Sequence, residues 1–529
     1  MSQNRMTLMK GALLLTFATL IVKVLSAIYR IPLQNIVGDR GLYVYQQAYP
    51  FYALAMTLAV YGFPVMISRM VAERSVDEHK EEIFSFMRQT FRVMTYVSFT
   101  IGSVIFILSP FLARLMGDEG LALPIKVSAL CYLFLPFVSL GRGYFQGNHN
   151  MKPTALSQVI EQSIRVSFIL GATYLLFQKG ASIYIIGTAA IAGGVLSFAA
   201  SSIVIGFFLF KQPLFTYRKR TPTLSKGTMQ TFLIGSFAIC ISSLLYIFFQ
   251  FIDAFTFVSL LQKQGYSLGD AQVLKGIYDR SHPLIQLGTV VSTALSLAVV
   301  PFVATLYKEQ NIKKLNTHIV HALKMSLFTS IAASVGLICI IEPTNTMLYE
   351  NEAGSVVLAI LSIAIIGNSM ALTTAGILQG LGFIKEPLKY ALIGVLVKVG
   401  LNILFIPLFH SNGAAFATIL AFFVTGFLQW RALFQLVHVE FNFMLYVKKL
   451  LMAATVMGII LWIYTNLFET FIEPSRIAAS FEALSAVAIG VIVYGYVAFR
   501  QQIIEPNEWA LLPKGKKIEA YLNKIGKRR

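Results

Sequence analysis

Residues 181–210 read ASIYIIGTAAIAGGVLSFAASSIVIGFFLF, thirty positions without one charged side chain. A hydrocarbon core about 30 Å thick is crossed by about 20 apolar residues in helical form, so this stretch is long enough to span a bilayer. Its continuity also separates it from a barrel strand, which alternates over about ten residues. Working outward, similar runs flank it at 154–177 and 230–258. Extended to both ends, the reading gives fourteen, the others near 11–33, 46–67, 91–112, 121–141, 278–306, 318–341, 354–378, 388–408, 412–435, 447–467 and 477–499. The expected fold is an all-α integral membrane protein of about fourteen transmembrane helices.

Composition agrees. Of 529 residues, 56% are hydrophobic and 13% charged, where a soluble domain carries roughly a quarter charged. The segments between apolar runs are too short for a nucleotide-binding domain, a kinase lobe or an extracellular catalytic module. An ATP-driven transporter would need a separate partner. Cys131, Cys240 and Cys339 each sit inside an apolar run without metal-type spacing, so neither a disulfide framework nor a zinc site is expected. Lys23 and Arg30 lie in the first apolar run and no small-residue cleavage site follows, so that run reads as a first span and not a removed signal.

The net charge of +19 must be sorted by side before it is given a partner. With residues at span ends counted in the segments they border, 31 of the 43 Lys and Arg fall on the side of the amino terminus and seven on the other. Five, Lys23, Arg30, Arg165, Arg280 and Lys398, lie inside spans. This positive-inside asymmetry places both termini in the cytoplasm and favours an even number of spans. The basic tail, from Lys514 to Arg529, is expected on anionic lipid headgroups and not on nucleic acid.

Two sequence echoes suggest an internal repeat. Phe145-Gln146-Gly147 running to Lys152-Pro153 recurs as Leu378-Gln379-Gly380 running to Lys385-Glu386-Pro387, and Phe63-Pro64-Val65 recurs as Val300-Pro301-Phe302. Both offsets place span n on span n + 6. The expected organisation is therefore an amino-terminal lobe at 1–211 (spans 1–6), a basic cytoplasmic linker at 212–229 and a carboxy-terminal lobe at 230–437 (spans 7–12). Two further helices at 438–500 and a basic tail at 501–529 complete it. Parallel repeats of this kind mark transporters that bind between halves and work by alternating access. The competing explanation is that Gln-Gly and Pro are simply good turn formers.

An ionisable residue in hydrocarbon is costly unless it faces a wet cavity or a partner, so each is a functional candidate. Lys23 and Arg30, seven apart, share one helix face and form a cationic stripe, although Arg30 is also placed to snorkel. Asp279 beside Arg280 reads either as a clamp on that guanidinium or as an interfacial ion pair. Asp253 reads as the site of a coupling cation or as the partner of a basic residue across a cavity. Glu161 and Arg165 stand at i, i+4, the spacing for mutual neutralisation, and Lys398 with Asn402 shares a face that lines a pathway or stitches helices. Deep charge is mainly cationic, which favours an anionic ligand such as a phosphate or pyrophosphate. Catalytic signals are poor: there is no metal cluster, no phosphate loop and no acidic pair in a long loop.

At Gly141-Arg142-Gly143-Tyr144-Phe145-Gln146-Gly147, Asn150-Met151-Lys152-Pro153 and Gln158-Val159-Ile160-Glu161-Gln162, the chain resembles the MOP superfamily of flippases and exporters, especially its oligosaccharide-lipid branch. Gly38 and Gly41-Leu42-Tyr43 support the resemblance, and Asp279-Arg280 leading to Pro283 and Pro301 is similar to that branch's span 8, whose arginine faces the central cavity. The resemblance covers the whole chain. It implies a bacterial inner-membrane flippase for an undecaprenyl-pyrophosphate-linked sugar, a peptidoglycan precursor such as lipid II, with Lys23, Arg30 and Arg280 holding the pyrophosphate. It further implies that spans 13 and 14 form a groove for the polyprenyl tail. Two departures stand out: Lys23 occupies a position that carries arginine in that branch, and Tyr49 to Ser68 lacks the branch's span-2 arginine. Asp253, Glu161, Arg165, Asp279 and Lys398 are candidates for ion coupling or for the cavity wall. No cofactor or metal is expected; energy would come from a Na+ or H+ gradient or from the membrane potential. Expected partners are the polyprenyl-linked saccharide, membrane lipids and cell-wall synthesis enzymes. Two alternatives are a cation-coupled small-molecule or drug antiporter of the same fold and a membrane-embedded enzyme acting on the same lipid carrier.

Overall fold

A computed structural model describes residues 15, 18, 20–22, 24–75, 80–212, 226–437 and 442–503. Lys23, residues 213–225 of the expected linker and 504–529 of the expected tail lie outside them. Regular structure among the described residues is helical throughout. In chain order the helices are α1 (Arg30–Thr57), followed by a π-helical turn at Leu58–Gly62, α2 (Phe63–Ser75), α3 (Lys80–Leu115), α4 (Ala122–Ala129), α5 (Cys131–Gly147), α6 (Lys152–Gln178), α7 (Ile183–Phe210), α8 (Lys226–Ser243) and α9 (Leu245–Lys263). They continue with α10 (Leu268–Asp279), α11 (Ser281–Gly288), α12 (Val290–Lys308), α13 (Ile312–Cys339), α14 (Ile341–Tyr349), α15 (Ser355–Ser362), α16 (Ala364–Gly380), α17 (Lys385–Leu436), α18 (Phe443–Phe471) and α19 (Arg476–Arg500).

Ten of the described helices are long and apolar enough to cross a membrane, or eleven if the pair Glu119–Leu133 and Leu135–Gly147, bent by 41°, crosses as one. The fourteen expected runs do not map onto these one for one. Leu20–Glu73 and Lys385–Leu436, of 54 and 52 residues, each join two runs; at 1.5 Å per residue either is more than twice the thickness of the hydrocarbon core. Their backbones leave the helical region at Gly38 (φ 67°) and at His410 (φ 52°, ψ −126°). Conversely, the run at 278–306 is divided among α10, α11 and α12, with breaks at Arg280 and Thr289. Hydropathy registers apolar length but not the point where a helix stops, because the backbone groups freed at a break can be satisfied inside the protein.

Burial is inverted relative to a soluble protein. The largest fully buried side chains among the described residues are Arg30, Arg142, Arg165 and Arg280, while Ile107 (71%), Ile203 (72%) and Val491 (69%) stand exposed on helix exteriors. Apolar side chains outward and cations inward is the arrangement expected in lipid, where tails are as apolar as leucine.

The chain forms two compact units. The first comprises Met1–Pro283 and Ala391–Ala417. Within it Gly143 and Gly147, one turn apart on α5, lie against α2: a Cβ on Gly143 would fall 2.5 Å from Ile67 Cβ, and one on Gly147 would fall 2.8 Å from the Ser68 carbonyl oxygen. The second unit comprises Leu284–Tyr390 and Thr418–Arg529. There Gly376 and Gly380 on α16 lie against α12, with a Cβ on Gly376 reaching within 3.1 Å of the Ser296 carbonyl oxygen and one on Gly380 within 2.8 Å of the Val300 carbonyl oxygen. The same small-xxx-small contact thus recurs in both units at the two echoed motifs. The second unit also buries Met325, Leu450, Ala453, Met457, Ala486 and Tyr494 in one cluster of α13, α18 and α19.

Candidate functional site

All the expected site residues that are described fall in the first unit. Arg30 opens α1 just after a turn at Tyr29. It is 1% exposed, and its Nε, Nη1 and Nη2 have no hydrogen-bond partner among the described residues. Its guanidinium carbon lies 4.5 Å from the centroid of the Tyr49 ring and 5.9 Å from that of Tyr29. Tyr45, Tyr49 and Tyr52 recur at i, i+4, i+7 and so present rings on one face of α1. Arg165, from α6, meets the same wall: its guanidinium lies 5.1 Å from Tyr29, 5.6 Å from Tyr49 and 4.6 Å from Tyr52. Arg165 Nη2 donates to the Tyr29 hydroxyl at 2.7 Å and to the Tyr45 hydroxyl at 3.0 Å, and the two hydroxyls contact each other. Phenol oxygens accept hydrogen bonds from the Arg165 guanidinium without cancelling its charge, and the ring faces attract both cations. The result is a pair of buried arginines on a tyrosine wall, with Arg30 facing no carboxylate among the described residues.

The expected Glu161–Arg165 pairing is replaced by another. Glu161 Oε2 accepts from Arg142 Nη2 of α5 at 2.7 Å, and Arg142 is further held by Ser157 at 3.0 Å and Ser201 at 2.9 Å. Two hydroxyls and a carboxylate meet Arg142 Nε and Nη2, while Nη1 has no hydrogen-bond partner among the described residues, and the charge-assisted contact commits Glu161 to a structural pair.

Arg280 and Asp279, adjacent in sequence, also part company, because consecutive residues on a helix point about 100° apart. Arg280 donates Nε to Asp39 Oδ1 at 2.7 Å and Nη2 to Asp39 Oδ2 at 2.6 Å, and Gln34 Nε2 donates to the same carboxylate at 3.0 Å. Asp279 instead meets Lys275 and, at 3.0 Å, His282 Nε2, whose Nδ1 lies 2.7 Å from the Tyr246 hydroxyl. Nearby, Asp118 accepts from Tyr43 at 3.0 Å and from Gln272 at 2.8 Å, while Arg40 Nε donates to Gln272 Oε1 at 3.0 Å.

Asp253 is not isolated. Lys398 Nζ lies 2.6 Å from its Oδ1 and also donates to the Ala414 carbonyl at 3.1 Å. Asn402 Nδ2 and the Tyr278 hydroxyl donate to the same carboxylate, each at 2.9 Å. Of the three residues expected to hold a pyrophosphate, Arg30 is buried with no acid partner among the described residues, Arg280 is paired with Asp39, and Lys23 lies outside the described residues. Sequence reading missed Tyr29, Tyr45, Tyr49 and Tyr52, although the spacing of the last three was a visible signal. Among the described residues no group of three His, Cys, Asp or Glu is placed to hold a metal.

The family described as "Polysaccharide biosynthesis protein" matches residues 8–307, and that described as "MatE" matches 278–404. The chain is 38% identical over 97% of its length to the uncharacterized membrane protein YabM of Bacillus subtilis, of which it covers 96%. It is 26% identical over 93% of its length to the lipid II flippase MurJ of the same organism, covering 95% of that protein. Among solved structures, a lipid II flippase MurJ in an inward closed conformation superposes with a TM-score of 0.66 at 16% identity, over 93% of this chain and 100% of that one, so the fold is shared.

Proposed function

Because this chain belongs to the polysaccharide biosynthesis protein family, within the MOP superfamily of multi-pass membrane transporters, we propose that it is a flippase for an undecaprenyl-pyrophosphate-linked sugar, a peptidoglycan precursor such as lipid II. It carries that lipid from the inner to the outer leaflet by alternating access and performs no covalent chemistry. The observation that carries this reading is Arg30, a wholly buried guanidinium that rests on tyrosine rings and meets no carboxylate among the described residues. A buried, unpaired charge costs several kcal/mol, a cost offset when an anion with several acceptor oxygens arrives. Arg165 raises the local positive potential without being consumed by an acid. Lys23 would extend the cationic stripe, and Arg280 would join the ligand on release from Asp39, since a diphosphate and a carboxylate compete for the same fork.

The remaining architecture follows the same reading. Fourteen spans are supported by the two helices too long for a single crossing, and two six-helix lobes by the glycine contact repeated on α5 and α16. Both termini lie in the cytoplasm of a bacterial inner membrane, as the lysine and arginine distribution favours. An inside-negative potential favours outward movement of a negative headgroup by about 2 kcal/mol per elementary charge at 100 mV, so the potential alone supplies a driving force. The MatE match supports a second reading, export of small organic cations; the buried arginines are the wrong charge for it.

The test is purified protein in liposomes containing a headgroup-labelled polyprenyl-pyrophosphate sugar, with side-specific access of the label followed for wild type and Arg30→Ala. Movement by the wild type that is lost in the folded variant supports the reading. Wild-type protein that moves organic cations but none of several polyprenyl-linked sugars would replace it with the antiporter.

A further inference from the structure

We propose that the ammonium of Lys398 is the resident cation of an oxygen-lined site around Asp253, so that the place a dissociable coupling ion would take is filled by a tethered one. Its consequence for coupling rests on the flippase reading; the binding chemistry stands apart from it.

The site is built by a chain reversal. Lys398 and Asn402 lie one turn apart on the first half of α17, and the break at His410 turns the chain so that Ala414 on the second half comes back beside them. Gly413 permits the approach, since a Cβ there would fall 2.0 Å from the Phe405 carbonyl oxygen. Oxygens then converge on the end of Lys398: Asp253 Oδ1 at 2.6 Å and the Ala414 carbonyl at 3.1 Å. Around them stand the Thr256 hydroxyl, 2.7 Å from Asn402 Nδ2, and Asn402 Oδ1, which is buried with no donor among the described residues. Carboxylate, backbone carbonyl and amide oxygens in a buried pocket are the donor set of a hard cation. Lys398 is 0% exposed and Asp253 2%, so a second monovalent cation there would face the ammonium in a medium that screens it poorly. Removing the ammonium leaves the Asp253 carboxylate and the Ala414 carbonyl, which lie 2.6 and 3.1 Å from it, without their cation. Na+ is small enough to approach both oxygens, whereas the bulkier choline, its charge shielded by methyl groups, is not.

The test uses the full-length protein in detergent, melted in NaCl and in choline chloride at equal ionic strength. Wild type is expected to melt at the same midpoint in both. Lys398→Ala is expected to gain a saturable rise of about 2 °C or more in NaCl, and the double variant Asp253→Asn/Lys398→Ala to lose it. Lys398→Gln replaces the alanine variant if the latter does not fold, and the wild-type arm decides even if neither does. Stabilisation of the wild type by Na+ that disappears in Asp253→Asn overturns the proposal, as does a folded Lys398 variant indifferent to Na+. Lipid plays no part in this readout, so failure here leaves the flippase reading intact, and loss of lipid movement in liposomes leaves the tethered cation intact.

Discussion

At Arg30 the ledger of a buried charge runs opposite to its usual direction. Replacing it with methionine sacrifices a cation–π contact of about 1 kcal/mol with Tyr49 and removes a desolvation penalty of several kcal/mol, stranding no hydrogen-bond partner. Arg30→Met is therefore expected to melt at or above the wild-type midpoint while headgroup movement falls at least about tenfold, the equivalent of one charge-assisted hydrogen bond. Arg142→Met is expected to do the reverse to stability, because Glu161 would be left buried without its partner, at a cost of about 3–5 kcal/mol. Thermal melting of both variants checks the contrast; a large loss for Arg30→Met would mean that the guanidinium is structurally bound. Each of these charges was legible in sequence as a misfit in hydrocarbon. Their partners were not, since Asp39 lies 241 positions along the chain from Arg280 and Asp253 is likewise remote from Lys398.

Among the helices, what matters is where two backbones touch. Gly276 on α10 sits so close to α1 that a Cβ would fall 2.1 Å from the Asp39 carbonyl oxygen. Backbone cannot yield as a side chain can, so Gly276→Ala is expected to push α10 away from α1, weaken the Arg280–Asp39 pair and cost about 1–3 kcal/mol. Gly400 on α17 has nothing within 4 Å of its would-be Cβ, so Gly400→Ala is expected to be neutral or to stabilise by up to about 1 kcal/mol through helix propensity. Melting midpoints of the two variants measure the difference. Apolar run length made the helices legible, and the Gln-Gly echo pointed to the contacts at Gly147 and Gly380. The breaks at Arg280 and His410 left no hydropathy signal, because a window average registers apolar length and not backbone angles.

For the molecule as a whole, the proposed cytoplasmic placement of both termini predicts that protease added outside sealed cells spares tags at either end, and that inverted vesicles expose both. Cleavage of one tag from each side would require an odd number of crossings. Membrane potential supplies another check: an imposed inside-negative potential is expected to speed outward movement of the labelled headgroup, and reversing its sign to slow it. The sequence alone determined that the chain is a helical membrane protein, which superfamily it resembles and which charges sit where lipid would reject them. These are properties of single segments, because the partition of a helix between water and lipid depends on its own twenty or so residues. Only the tertiary structure decided that Arg280 answers to Asp39, Glu161 to Arg142 and Asp253 to Lys398, and that Arg30 answers to tyrosine rings and to no acid among the described residues. The free energy of a buried charge is set by the groups that other helices bring to it, and those arrive only when the helices pack.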